Sequence, residues 1–219
     1  MSSLMQYVQS ANLPDLTDAE MASALSEVEE SPGRVQYISF SGKKGRYAMG
    51  QNKEEPEGHF IVEPKSFMAG WICWKGSRPV DRHEWSIYEK HSAVQENELQ
   101  DHGPYRDNEG WAPSLAIGAF SADSGTQVKF STNSKSGCNA VRDLINEVRT
   151  RLLSGEPSLP IIEFDSEEFT AQENTNYKPK LAVAAWASRE SVGAFLEGSL
   201  PFDDLLSGVD VKKVKRKKK

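Results

Sequence analysis

His59 to Lys90, HFIVEPKSFMAGWICWKGSRPVDRHEWSIYEK, holds three of the chain's five tryptophans, Trp71, Trp74 and Trp85, beside Lys75, Arg78, Arg82 and Lys90. Trp71 to Lys75 is built of β-favouring residues, and Gly76-Ser77 is a two-residue turn signal of the type II′ kind. The stretch predicts a β-hairpin, with one strand ending near Lys75 and a return strand through Trp85 and Tyr88. Alternation along a strand puts Trp71, Cys73 and Lys75 on one face and Ile72 and Trp74 on the other. Cysteine is a residue type usually found buried, so its neighbour Trp71 is expected in the core and Trp74 outside. Two readings of the tryptophans follow. Both faces are covered and the aromatics supply core area, or one face is an aromatic platform rimmed by Lys and Arg. Nucleic-acid bases would stack on such a platform while the rim pairs with phosphates.

Upstream, Arg34 to Gly50 reads as a first strand pair. Tyr37 lies on one face, Ile38 and Phe40 lie on the other, and Gly42-Lys43-Lys44-Gly45 makes the turn. Lys43, Lys44 and Arg46 beside Tyr37 and Tyr47 form a second basic-aromatic group. Residues 1–33 read as an acidic helical arm: Thr17-Asp18-Ala19-Glu20 has the capping-box pattern and Pro32-Gly33 ends it.

Downstream, His91 to Gly110 is polar and about 20 residues long, which is long for a loop inside a domain. Its composition favours an unstructured surface loop over a flap. Pro113–Ser121 and Thr126–Thr132 read as a second hairpin. The helix that follows is the clearest in the chain, because Val141, Leu144, Ile145, Val148 and Leu152 make one apolar stripe. It is expected over Gly137–Ser154, capped by Ser134 or Ser136 and stopped by Gly155. Its first N–H groups beside Lys135 are suited to an anion, and Lys129 lies on the preceding strand. Leu159–Phe169 and Pro179–Ala187 read as two more strands. Strands, a single helix and strands again match the order of an OB-fold-like antiparallel barrel, which is mainly β with one principal helix. That domain is placed at 34–190, between the N-terminal arm and a flexible tail over 191–219; Ser188–Gly198 reads as a short helix or loose tail and Leu200–Leu206 as an acidic-apolar stretch.

Composition narrows the chemistry. The 219 residues are 37% hydrophobic with a mean hydropathy of −0.59. No apolar run reaches the roughly 18 residues a membrane span needs, and Met1 to Leu13 lacks the pattern of a signal peptide. Cys73 and Cys138 are far apart and form no CxxC, so reduced cytosolic thiols are expected, with no disulfide, metal or cofactor. Net charge is −6, but the last eight residues carry seven positive charges, so the remainder stands at −13. An acidic body does not coat duplex DNA by bulk charge, although it can hold a local basic groove. No GxSxG, HExxH or glycine-rich nucleotide loop is present, which favours a binding protein over an enzyme.

Ala69-Gly70-Trp71-Ile72-Cys73-Trp74-Lys75 with Arg78-Pro79-Val80-Asp81, then Asp101-His102-Gly103-Pro104-Tyr105, Gly110-Trp111, and Phe130 to Gly137 (FSTNSKSG), resemble a family of tailed-phage and prophage single-stranded DNA-binding proteins. The likeness covers about residues 35–187. It implies an OB-like barrel holding single-stranded DNA on aromatic and basic side chains during phage DNA replication and recombination. Together with the basic-aromatic groups above, it makes Tyr37, Lys43, Lys44, Arg46, Tyr47, Trp74, Lys75, Arg78, Arg82, Lys129 and Lys135 the expected nucleic-acid contacts. It also implies an acidic-apolar tip that recruits replication or recombination proteins, here Phe202, Asp203 and Asp204, followed unusually by a basic run. The expected setting is the cytoplasm of an infected bacterial host, or the nucleus if the host is eukaryotic, with homo-oligomer formation left open. A rival expectation is a phage inhibitor or adaptor of a host enzyme that acts through the acidic surface.

Overall fold

The predicted hairpin is present as β4 (Met68–Lys75) and β5 (Arg78–Ser86). Its turn is type I′ rather than II′, because both Gly76 and Ser77 have φ of +61°. A β-bulge between Cys73 and Trp74 shifts the register: Trp74 pairs with Pro79, but Cys73 pairs with Asp81, leaving Val80 as the extra residue. Among the described residues β5 pairs only with β4. As an edge strand it tolerates Pro79, whose missing N–H is not needed on the open side.

The computed structural model describes residues 35–171 and 174–208. The arm expected over 1–33 and the basic run from Lys212 lie outside the described residues. The remaining strands are β1 (Gln36–Ser41), β2 (Arg46–Met49), β3 (Phe60–Val62), β6 (Gly110–Ser121), β7 (Gln127–Thr132), β8 (Leu159–Ala171) and β9 (Asn174–Ala187). All nine join one sheet in the order β2-β1-β7-β6-β3-β8-β9, with β4 on the free half of β6. Pairing is antiparallel except between β1 and β7, which the long chain between them allows to run parallel. The sheet curls into a half-barrel with one principal helix, consistent with the OB-like expectation. Its two ends approach each other: Tyr177 N–H donates to Gly42 O at 2.8 Å, and Ser166 Oγ donates to Gly45 O at 2.9 Å.

Helix α1 (Lys135–Ser154) lies against the inner face of the curl. Ser134 caps it by accepting from Gly137 N–H at 3.1 Å, and Gly155 ends it at φ +69°. Val141, Leu144 and Val148 are buried with Ile38, Phe60, Ile117 and Phe130. Each such side chain stabilises the fold by about 1.5–3 kcal/mol through removal from water. Gly137 is required by space: a Cβ there would overlap Thr132 Oγ1.

The outer face carries its own core. Phe60, Ile61 and Val62 are all buried, so β3 needs cover on both sides. Ile61, Leu159 and Ile161 pack against Val192 of helix α2 (Arg189–Leu196), Leu205 of helix α3 (Phe202–Leu206) and Leu200 of the turn between them. This corrects the tail expected from residue 191: the chain folds back through Leu206, because the outer side of β3 and β8 is apolar. No helix among the described residues is long and apolar enough to cross a membrane.

Arg189 anchors α2 through a two-pronged pair with Glu63 at 2.7 and 2.8 Å. The guanidinium holds the Glu63 carboxyl below its usual range. Both side chains are more than a third exposed, so solvent screening keeps the pair to at most about 1 kcal/mol. A depressed carboxylate stabilises above its ordinary range and loses that contribution as pH falls through the folded value. Arg189→Ala is therefore expected to lose about 0.5–1 kcal/mol at neutral pH in a urea titration, and the gap should close in acid. A gap that acid leaves unchanged would mean the pair is not its source.

Candidate nucleic-acid interface

Register places Ala69, Trp71, Cys73 and Lys75 on the inner face of the hairpin with Trp85, His83 and Asp81 of β5 and Leu115, Pro113 and Trp111 of β6. The row divides in two. Toward Cys73 and Lys75, residues 91–109 lie over the face. Trp71 Nε1 donates to Val94 O at 2.9 Å, and Trp111 Nε1 donates to Gln100 O at 2.8 Å. Lys75 Nζ donates to His102 O and Gly103 O. His102 Nε2 donates to Asp81 Oδ2 at 2.8 Å, and the Tyr105 hydroxyl accepts from His102 N–H at 2.8 Å while lying 3.7 Å from Cys73 Sγ. The unstructured loop expected here is instead an ordered cover. Side chains of the sheet tie it down from outside, while its own Glu98, Asp101 and Glu109 carboxylates accept from backbone N–H groups within it.

Toward Ala69 the face is open, and a groove of about 530 Å³ lies between the hairpin, β6 and the start of α1. Trp71, Trp85, Pro113 and Leu115 line the sheet side. Lys135, Cys138, Asn139 and Arg142 line the helix side at i, i+3, i+4 and i+7, one stripe of the helix. Lys135 and Arg142 are exposed, and Arg142 Nη1 is steadied by Asn139 Oδ1 at 2.8 Å. Burial pushes the Cys138 thiol above its ordinary pKa. Among the described residues, no carboxylate lines the groove. The geometry offers two indole rings for planar groups and two cations for anions.

Of the expected contacts, only Lys135 lines this groove. Tyr47 belongs to the core at 5% exposed, with its ring 4.7 Å from Phe40 and 5.1 Å from Phe164. That corrects its placement on a binding surface. Lys75 is occupied by the loop carbonyls. Arg82 and Lys129 both pair with Glu84 on the outer face, at 3.5 and 2.7 Å. Tyr37, 57% exposed, stands opposite Lys129 in the register, and Lys43, Lys44 and Arg46 are exposed around the β1–β2 turn. Arg78 is exposed beside the hairpin turn. Trp74, expected to be exposed, is half-buried on the outer face, and its Nε1 is shut from solvent with no acceptor among the described residues. Trp71, expected in the core, is half-buried and lines the groove. Phe202 is docked against His59 and Phe195 at 5.3 and 5.6 Å between ring centres, while Asp203 stays exposed.

Among the described residues, no group of three or more His, Cys, Asp or Glu side chains is placed to hold a metal ion. Fold and groove together define a β half-barrel with an aromatic-basic cleft at the rim of its inner face. No family model, curated protein or solved structure matches the chain.

Proposed function

We propose that the protein binds single-stranded DNA with little sequence preference, through the groove between the tryptophan hairpin and the start of α1. The observation that supports this most is that a chain of net charge −6 lines this groove with Trp71, Trp85, Lys135 and Arg142 and, among the described residues, with no acid. Stacking needs an open base face, which a single strand offers and a duplex hides, and stacking tolerates any base. The resemblance to phage single-stranded DNA-binding proteins supports the same reading, with phage DNA replication or recombination as the proposed setting. Intrinsic tryptophan fluorescence should be quenched by a single-stranded oligonucleotide at low salt, and far less by the same sequence as duplex. No quenching by the single strand would sink the proposal.

Lys135 is the expected phosphate contact. Lys135→Ala should weaken binding to all sequences about equally and reduce the slope of log affinity against log salt by about 0.7, one phosphate's worth for a single strand. A slope equal to the wild type's would remove Lys135 from the site. The second reading, an adaptor or inhibitor acting through acidic surface, draws on a separate cavity lined by Glu54, Glu55, Glu57 and Asp123. It predicts no oligonucleotide quenching at any salt concentration.

A further inference from the structure

We infer that His102 is a positioning residue for the groove: it seats the 91–109 loop, whose Val94 carbonyl fixes the Trp71 indole in stacking orientation. The inference rests on the groove being the binding site. Trp71 stands at the boundary between the covered and open halves of the inner face, and its single polar atom is bound to the covered side, Nε1 to Val94 O at 2.9 Å. A flat ring with two free torsions is a poor platform unless something fixes its tilt, and a hydrogen bond from the ring's edge does that. Val94 itself carries no anchor that reaches the sheet by side-chain hydrogen bond. The loop is held further along, where His102 is the point of convergence.

Three of the loop's ties meet at that one residue. Its ring donates to Asp81 of β5 at 2.8 Å, its N–H donates to Tyr105, and its carbonyl accepts from Lys75 of β4. The ring also stands 5.8 Å from Trp111 of β6, so the residue touches all three strands of the hairpin sheet. His83 faces the same Asp81 oxygen at 3.9 Å, too long for a hydrogen bond, so His102 is the ring that closes the contact. Removing the His102 side chain takes away the loop's one side-chain bond to β5 here while leaving the two apolar cores, α1 and the hairpin register untouched.

The test uses the full chain and two readouts. The first needs no DNA: solvent exchange of the Trp71 indole N–H, followed by NMR. His102→Ala should speed that exchange about tenfold or more as the loop opens locally, with the melting temperature little changed. His102→Gln, which keeps a donor for Asp81, should restore most of the protection. The second is affinity for a fluorescein-labelled oligothymidylate, measured in a double-mutant cycle with Trp71→Phe, which keeps a ring but has no N–H to tether. His102→Ala should weaken binding about three- to tenfold in the wild-type background and hardly at all in the Trp71→Phe background, the non-additivity expected of coupled residues. Indole exchange unchanged by His102→Ala would overturn the inference, and so would equal losses in both backgrounds. If the wild-type protein binds no oligothymidylate, the groove's proposed function fails, while the exchange measurement still decides whether His102 positions Trp71.

Discussion

Tyr47→Ala is expected to cost about 3–5 kcal/mol of folding stability, the range for deleting a buried aromatic ring. In a urea titration the midpoint should fall steeply or the transition should disappear. The ring packs against Phe40, Phe164 and, at 5.8 Å, Phe130, so its removal opens a cavity in the main core. Its hydroxyl adds a second role, because it donates to Lys180 O at 3.3 Å. β2 and β9 are the two ends of the strand order, so this bond ties one end of the curled sheet to the other. Tyr47→Phe keeps the ring and loses only that tie, and should cost about 0.5–1.5 kcal/mol.

The same residue carries a pH signature. Burial pushes the Tyr47 hydroxyl above the ordinary tyrosine value of 10.0. Above that pH the unfolded chain gains by ionising where the folded one does not, so stability falls as pH rises toward the folded value. The alkaline fall should be shallower in Tyr47→Phe. Tyr37→Ala is the control, since that ring is exposed and its loss should leave the urea midpoint nearly unchanged. A Tyr47→Ala protein that unfolds like the wild type but has lost oligonucleotide affinity would return Tyr47 to the binding surface.

How the two tyrosines separate shows what can be read from the sequence. Alternation in Tyr37-Ile38-Ser39-Phe40 points Tyr37 and Phe40 to opposite faces, and the structure agrees. Tyr47 stands one residue from Arg46, and adjacency in sequence suggested a shared patch. In a strand, adjacency means opposite faces, so Arg46 is exposed because Tyr47 is not. The α1 stripe was legible for the same reason: its period is local. So was the hairpin, whose Gly76-Ser77 turn is a two-residue signal.

The groove was not legible, because it depends on one bulge. A two-residue turn with unbroken register pairs Trp71 with Arg82, and it sends Trp85 to the face of Trp74 and Met68. The extra residue at Val80 moves the register by one, so Trp71 pairs with His83 and Ala69 with Trp85. Both indoles then share the inner face. Nothing in Arg78-Pro79-Val80-Asp81 announces that shift except Pro79, which marks an edge strand where bulges are common. The helix side of the groove had a visible signal: Lys135, Cys138, Asn139 and Arg142 fall on one stripe beside the apolar one. The order of the 91–109 loop and of the chain after Arg189 was less legible, because both depend on distant partners. The loop is polar and takes Trp71, Lys75 and Trp111 as outside partners, whereas the chain after Arg189 mixes acids with apolar side chains that need the outer side of Ile61 and Ile161.

The largest effects on binding are expected from the two groove tryptophans. Base stacking on an aromatic contributes about 1–3 kcal/mol by alanine substitution, so Trp71→Ala and Trp85→Ala should each weaken binding of a labelled single-stranded oligonucleotide about 5- to 150-fold. Trp71 and Trp85 are near neighbours in one groove, so the double variant should lose less than the sum of the two. Trp74→Ala should do the opposite. Its indole is half-buried on the outer face with Nε1 out of reach of water, so its removal should lower stability while the remaining folded protein binds with wild-type affinity. Trp71→Ala also removes the Val94 hydrogen bond, so Trp71→Phe serves to separate the ring from the tether. The Phe variant should recover most of the stacking contribution and only part of the affinity. The decisive comparison is therefore between faces of one hairpin, measured per folded molecule by fluorescence anisotropy. Should Trp74→Ala abolish binding while Trp71→Ala and Trp85→Ala leave it intact, the DNA lies on the outer face along Tyr37, Lys129 and Arg82, and the groove is not its site.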